Sequence, residues 1–395
     1  MTDLVLYLLL VLALAASWYS GYRSKVSQKR SARLNSEQDY FIGLNYLLND
    51  EPEQSVDSFI ASLEINSTTL ESHLALGTLL RRRGKVDSSI AVFQKLLAES
   101  QLEDADLDKV KLGLTKSYVA AGLLDRAERL IDELKVADVE IRYSALLQGI
   151  VVYQLEKEWL KAIMMANELL KVCPANQRQT FQLKASHYFC ELAEKEMALQ
   201  HYNQAREYLH SASGMSKNNA RASLLLGKLE LAQGHYSKAI KVLQKISTQD
   251  ADFKVEAFDL LVSAYQSLGQ EAELKRYIEH CLQDSPSPGL ILKVVQYVEA
   301  AENKQQARDL LLQQLQNKPA IELLGDAILL DAGADKQNNA SLFKATLNNY
   351  LNAKARYQCK NCGFELQKLH WLCPGCNEWG YVKPIELQNE QAAAL

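Results

Sequence analysis

An all-α solenoid of stacked helical hairpins is the fold class this sequence predicts, with one membrane-spanning helix ahead of it and a small metal-dependent knuckle behind it. Three observations carry that prediction. A small side chain recurs with a period near 34 residues, residues 4 to 19 form an uncharged apolar run, and four of the seven cysteines fall between positions 359 and 376. At 395 residues the chain is too long for one ordinary hydrophobic core, so several domains or a repeat array are expected. Only 17 glycines and 7 prolines occur, the usage of a helical protein with few tight turns, and strands are expected only in the tail. The net charge of -4, with both signs interspersed, gives no global attraction to nucleic acid.

The first element is the run LVLYLLLVLALAASWY at residues 4 to 19. As a helix it nearly spans the ~30 Å hydrocarbon layer. Trp18, Tyr19 and Tyr22 fall at one end, where amphipathic rings prefer the headgroup level, and Arg23, Lys25, Lys29, Arg30 and Arg33 follow with no acidic residue before Glu37. By the positive-inside rule the remainder of the chain stays on the cytoplasmic side. A cleaved signal peptide would carry its positive charge ahead of the apolar run, although Ala13-Leu14-Ala15 is a passable cleavage pattern. A buried core helix would need a surface to pack on, and a basic solvated stretch adjoins it instead. Residues 1-20 are therefore expected to be a transmembrane anchor, and 21-36 a basic juxtamembrane linker.

The second element is the array, expected over 37-352. Ser55, Ser89, Ala127, Ala162, Ala205, Ala239, Leu274 and Ala307 mark one register, spaced 34, 38, 35, 43, 34, 35 and 33 residues apart. Four residues after each stands Phe59, Phe93, Ile131, Ala166, Leu209, Leu243, Ile278 or Leu311, so one helical face is being marked. Leu-Gly-like pairs precede them at Ile42-Gly43, Leu76-Gly77 and Leu226-Gly227, and turns carry Gly84, Gly122, Gly234 and Gly269 where a helix ends in a left-handed residue. Pro174 stands where a hairpin should close. These residues resemble the tetratricopeptide pattern, which implies paired helices that approach closely at small side chains and stack through large ones. Eight hairpins are expected between residues 37 and about 318, with a degenerate ninth over 320 to 352.

Such an array offers a surface lined by first helices, suited to holding a peptide or a protein surface. The register places Tyr40, Leu44, Leu74, Arg81, Arg82, Lys109, Lys116, Leu147, Arg221, Leu224 and Lys228 on that face. An acidic or mixed partner fits those charges.

The third element, expected over 353-385 ahead of a flexible tail at 386-395, reads YQCKNCGFELQKLHWLCPGCNEWGYVKP. Cys359-x2-Cys362 and Cys373-x2-Cys376, ten residues apart, supply the four thiolates of a closed tetrahedral site for zinc or a single iron. Gly363 and Gly375 are expected to permit the knuckle conformations. So small a segment buries no core, and metal binding supplies most of its folding energy. Phe364, Trp371, Trp379 and Tyr381 offer apolar surface to dock the knuckle onto the end of the array. His370 is surplus to a four-thiolate site. Cys173, Cys190 and Cys281, scattered through helical sequence, read as buried small hydrophobes, and an odd cysteine total fits a reducing compartment.

Cys-x-x-Cys-Gly with Cys-Pro-x-Cys resembles rubredoxin-type and zinc-ribbon knuckles, although a rubredoxin proper has a longer intervening stretch. Taken in order, the span with its basic flank, the tetratricopeptide array and the terminal knuckle resemble the lipopolysaccharide assembly protein B family of Gram-negative bacteria. That resemblance implies an adaptor at the cytoplasmic face of the inner membrane. Its implied partners are the membrane-anchored FtsH protease, the lipid A pathway deacetylase that FtsH degrades, and an inner-membrane sensor protein of lipopolysaccharide level. A homo-oligomer is left open. A general inner-membrane scaffold or chaperone for other envelope clients is the alternative reading. No enzyme is expected, since the sequence has no phosphate-binding Gly-rich loop, no HExxH and no nucleophile elbow.

Overall fold

The computed structural model describes residues 70–98, 102–283, 286–301, 303–317, 320–331 and 337–385. The expected anchor, the basic linker, the first hairpin with Tyr40 and Leu44, and the tail at 386-395 lie outside the described residues. Up to residue 353 the described chain is helical. It runs as α1 (Leu70–Arg82) with α2 (Val86–Leu97), α3 (Asp104–Ala120) with α4 (Leu124–Leu134), and α5 (Val139–Leu155) followed by α6 (Trp159–Val172). Next come α7 (Ala175–Ala198) with α8 (Tyr202–Met215) and α9 (Ala220–Ala232) with α10 (Tyr236–Leu243). A short α11 (Ile246–Gln249) and a 3-10 turn (Ala251–Phe253) lead into α12 (Lys254–Leu268) and α13 (Glu271–Gln283). The last pairs are α14 (Pro288–Ala301) with α15 (Lys304–Asn317) and α16 (Ile321–Asp331) with α17 (Gln337–Ala353). Two helices, α16 and α17, thus occupy the described part of 320 to 352, where a degenerate hairpin is expected. The chain divides into two compact units, residues 1–152 and 153–395.

The register read from the sequence is the register of the packing. Ser89, Ala127, Ala162, Ala205, Ala239 and Ala307 are each 0% exposed and Leu274 is 1% exposed. In the first unit the Phe93 ring lies between two first helices at their glycines. A Cβ placed on Gly77 of α1 would sit 2.6 Å from that ring, and one on Gly113 of α3 would sit 2.2 Å from it. Ser89 stands where other repeats carry alanine because its hydroxyl is satisfied there. It donates to the Gly77 carbonyl at 2.7 Å and shares a hydrogen bond of 2.9 Å with the Ser117 hydroxyl. In the second unit Leu243 fills the same place against Gly227, where an added Cβ would lie 2.3 Å from it. The Leu-Gly pair is thus a device for close approach rather than for backbone freedom.

Backbone freedom matters in the turns. Gly84, Gly122, Gly234 and Gly269 take φ of +78°, +73°, +73° and +68°, but Lys157 and Gln200 take +58° and +62° in equivalent turns. At each, the left-handed residue donates to a carbonyl three residues back and its successor to one five residues back, as in Gln200 to Met197 (3.0 Å) and His201 to Glu196 (2.9 Å). This is the Schellman closure, and its hydrogen bonds hold the two non-glycine residues in place. Replacing Gln200 by Gly is therefore expected to stabilise the second unit by about 0.5–1 kcal/mol, since a Cβ is disfavoured in the left-handed region. A thermal melt of the variant against the parent chain checks this; an unchanged or lowered midpoint refutes it.

Among the described residues strands occur only at the C-terminal end, where β1 (Tyr357–Cys359), β2 (Glu365–Leu366) and β3 (Val382–Pro384) form an antiparallel sheet in the order β2-β1-β3. Cys359 lies opposite Val382, which fixes the first knuckle to the sheet.

Candidate metal centre and its docking surface

Two tight turns bring the four cysteines together. After Cys359 the Gly363 N–H returns to the Cys359 carbonyl at 2.8 Å, and after Cys373 the Asn377 N–H returns to the Cys373 carbonyl at the same distance. Gly363 (φ +78°) and Asn377 (φ +55°) are the equivalent left-handed residues. Gly375 has a different role from the conformational one expected of it: a Cβ there would lie 2.9 Å from Phe364, so this glycine makes room for a ring. The turns aim backbone N–H groups at sulfur, from Phe364 to Cys362, from Gly375 and Cys376 to Cys373, and from Glu378 to Cys376. The Asn361 side-chain amide adds a 3.4 Å contact to the Cys376 sulfur.

All four sulfurs lie within 4.8 Å of one another. Cys359 to Cys376 and Cys362 to Cys373 are each 3.7 Å. A tetrahedron with metal–sulfur bonds of ~2.3 Å has an edge of about 3.8 Å, so the cage fits one tetrahedral ion. The donor set accepts zinc or iron. When bound, the ion ties the two turns together, and four protein ligands leave it no open position for water. Burial opposes ionisation of Cys376, but the Asn361 amide and the Glu378 N–H outweigh it and lower that thiol to about 7.

The knuckle does not dock at the end of the array. It folds back onto α7, α9 and α12 in the middle of the second unit, because its two indoles meet their partners there. Trp379 is 2% exposed. It stacks on His187 (5.2 Å, 18°), meets Trp159 and Tyr188 edge-on at 6.0 and 5.8 Å, and lies under the Arg221 guanidinium at 5.6 Å. Its indole N–H donates to Gln154 Oε1 at 2.8 Å, and the same oxygen accepts from the Tyr188 hydroxyl at 3.1 Å. Trp371 packs on Phe253 at 4.7 Å. Around the rings, Lys184 pairs with Glu378 at 2.8 Å, Lys383 pairs with Asp250, and the Tyr357 hydroxyl donates to Glu256 at 3.1 Å. Phe364 and Tyr381, expected to dock as well, remain exposed.

The predicted first-helix face is divided by this docking. In the first unit Leu74, Arg81, Lys116 and Leu147 are half-buried, and Arg82 and Lys109 are exposed. In the second unit Lys228 is exposed, but Arg221 and Leu224 are not offered to a partner. The Arg221 side chain is only 3% exposed, held by Glu191 (2.7 Å) and Glu194 (2.9 Å) against the faces of the two indoles. Leu224 is 5% exposed and belongs to the core that α9 shares with α12. Cys173, Cys190 and Cys281 are buried, as expected of small hydrophobes. Sequence reasoning missed Gln154, His187, Lys184 and Glu256. A signal was present for two of them: His187, Arg221 and Glu256 each stand 18 residues before a register residue, Ala205, Ala239 and Leu274. The knuckle touches the same repeat position three times.

Fold and site together define a class: a tetratricopeptide scaffold carrying a rubredoxin-type metal knuckle. Residues 196–273 match the family model described as tetratricopeptide repeat, and residues 357–384 match that described as rubredoxin metal binding domain. The chain is 33% identical over 387 residues to lipopolysaccharide assembly protein B of Escherichia coli (strain K12), covering 96% of this chain and 98% of that protein. It is 30% identical over 400 residues to the protein of that name from Haemophilus influenzae, covering 98% and 99% of the two. This chain belongs to the lipopolysaccharide assembly protein B family.

Two outcomes are expected of this interface. Cys373→Ser should lose the ion and release both indoles to water, seen as a red shift of tryptophan emission and a lower melting midpoint for the second unit; unchanged emission after metal loss would refute the coupling. His187 is 2% exposed and neither ring nitrogen has a hydrogen-bond partner. Burial first, then the charges of Arg221 and Lys383, lower its pKa to about 3. Because that value lies below the ~6.5 of a free imidazole, the unfolded chain binds the extra proton. Stability is therefore full above pH ~6.5 and falls as the pH drops, by about 2 kcal/mol at pH ~5. Denaturant titrations of parent and His187→Gln at the two pH values measure it, and an equal pH slope in the variant would remove His187 as the cause.

Proposed function

We propose that this chain is a membrane-anchored adaptor in lipopolysaccharide assembly, with residues 1-20 spanning the inner membrane and the repeats on its cytoplasmic side. In this reading it promotes FtsH-dependent proteolysis of the lipid A pathway deacetylase and answers to an inner-membrane sensor of lipopolysaccharide level. The observation that carries it is the division of labour within the described residues. Their one cluster of metal-ligating side chains is a closed four-thiolate cage spent on holding the knuckle, while the first helices of the first unit present charged and apolar side chains to a partner. A closed cage suits structure and not hydrolysis. A face of serial helices suits recognition of a protein. The apolar run followed by five basic residues before Glu37 supports the anchor and its orientation.

Anchoring raises the local concentration of client near a membrane protease and adds no new contact to either. Deleting residues 1-20 should accordingly leave a folded, metal-loaded protein that no longer accelerates deacetylase turnover. Pulse-chase measurement of deacetylase lifetime, with the truncated chain expressed in cells lacking the parent, tests this. Turnover at the parental rate would overturn the need for the anchor.

A further inference from the structure

The knuckle shows what the first-helix face of these repeats accepts. It sets two indoles and the Glu378 carboxylate against His187, Arg221 and Lys184 of the second unit. In the first unit α1 packs beside α3, and their shared face carries related chemistry. Lys109 there is already neutralised by Glu71 at 3.3 Å and Asp106 at 3.0 Å. Arg81, Arg82 and Lys116 make no ion pair among the described residues, and Nε of Arg81 is buried without a hydrogen bond. Burial lowers the pKa of Lys116 and the charge of Arg81 lowers it further, while burial and then Arg82 do the same to Arg81. Leu74 and Leu112 lie half-buried along the same face. Partly desolvated like charges held close together are costly alone, and a carboxylate placed among them relieves both desolvation and repulsion.

We propose that the α1–α3 face around Arg81, Arg82 and Lys116 binds an acidic peptide segment of a partner protein, its carboxylates among the cations and its bulky apolar side chains on Leu74 and Leu112. This deepens the adaptor reading by naming the chemistry of the client segment, and it rests on that reading for the client's biological role.

The probe is a fluorescein-labelled peptide of alternating glutamate and leucine, titrated by fluorescence anisotropy with the full-length chain in mild detergent. Saturable binding is expected, weakening about tenfold in the Arg81→Gln/Lys116→Gln variant and weakening with added salt. Lys241→Glu, on the exposed side of α10, should bind as the parent does, and circular dichroism melts establish that each variant is folded. Three results would overturn the proposal: unchanged binding by the folded double variant, equal affinity for the glutamine–leucine version of the peptide, or no peptide binding while phosphatidylglycerol vesicles bind through the same residues. Deacetylase lifetime in cells is read separately. Lost peptide binding with unaltered lifetime would uphold the acidic-peptide site and count against the adaptor assignment.

Discussion

Everything in the array depends on how closely two helices can approach at one point per hairpin. Where the second helix carries Ala or Ser and the first carries Gly, a large side chain from the same hairpin reaches through and contacts the next. Phe93 does this between Gly77 and Gly113. The consequence is directional: each hairpin buries its apolar face only by leaning on a neighbour, so stability is a sum of nearest-neighbour contacts rather than the product of one core. Leu274 shows that the rule concerns fit rather than residue type, since it occupies the small-residue position at 1% exposure.

The knuckle obeys the opposite logic. Three short strands and two turns bury little beyond Cys359, Cys373, Val382 and Trp379, which is far too small a core to persist unaided. Two external supports replace it, the ion that the four sulfurs are placed to hold and an aromatic seat held by the helices. Within that seat Gln154 joins knuckle to helix, since its carbonyl oxygen accepts from Trp379 on the knuckle and from Tyr188 on α7.

The helical register was legible because small side chains at helix contacts leave a periodic trace that short insertions shift but do not erase. The metal cage was legible for a similar reason: paired Cys-x-x-Cys motifs encode their geometry locally. The docking site was not, because the partners of Trp379 are separated from it by up to 225 residues and nothing local announces them. Arg221 was read as part of an open face since its own sequence neighbourhood says only that it sits on a first helix. The turns at Lys157 and Gln200 were missed because side chains there gain nothing from the left-handed conformation; tertiary packing imposes it. Gly375 was misjudged for a related reason, as sequence does not say whether a glycine is chosen for torsion or for space.

The triple use of one repeat position has a mechanical meaning. His187, Arg221 and Glu256 belong to three successive first helices, α7, α9 and α12, and each is contacted by the same small knuckle. A solenoid ordinarily bends like a spring, with each hairpin rocking slightly against the next. Across these three hairpins the knuckle works as a splint: a change in their pitch has to break the contacts that Trp379 and Tyr357 make with them or carry the knuckle along.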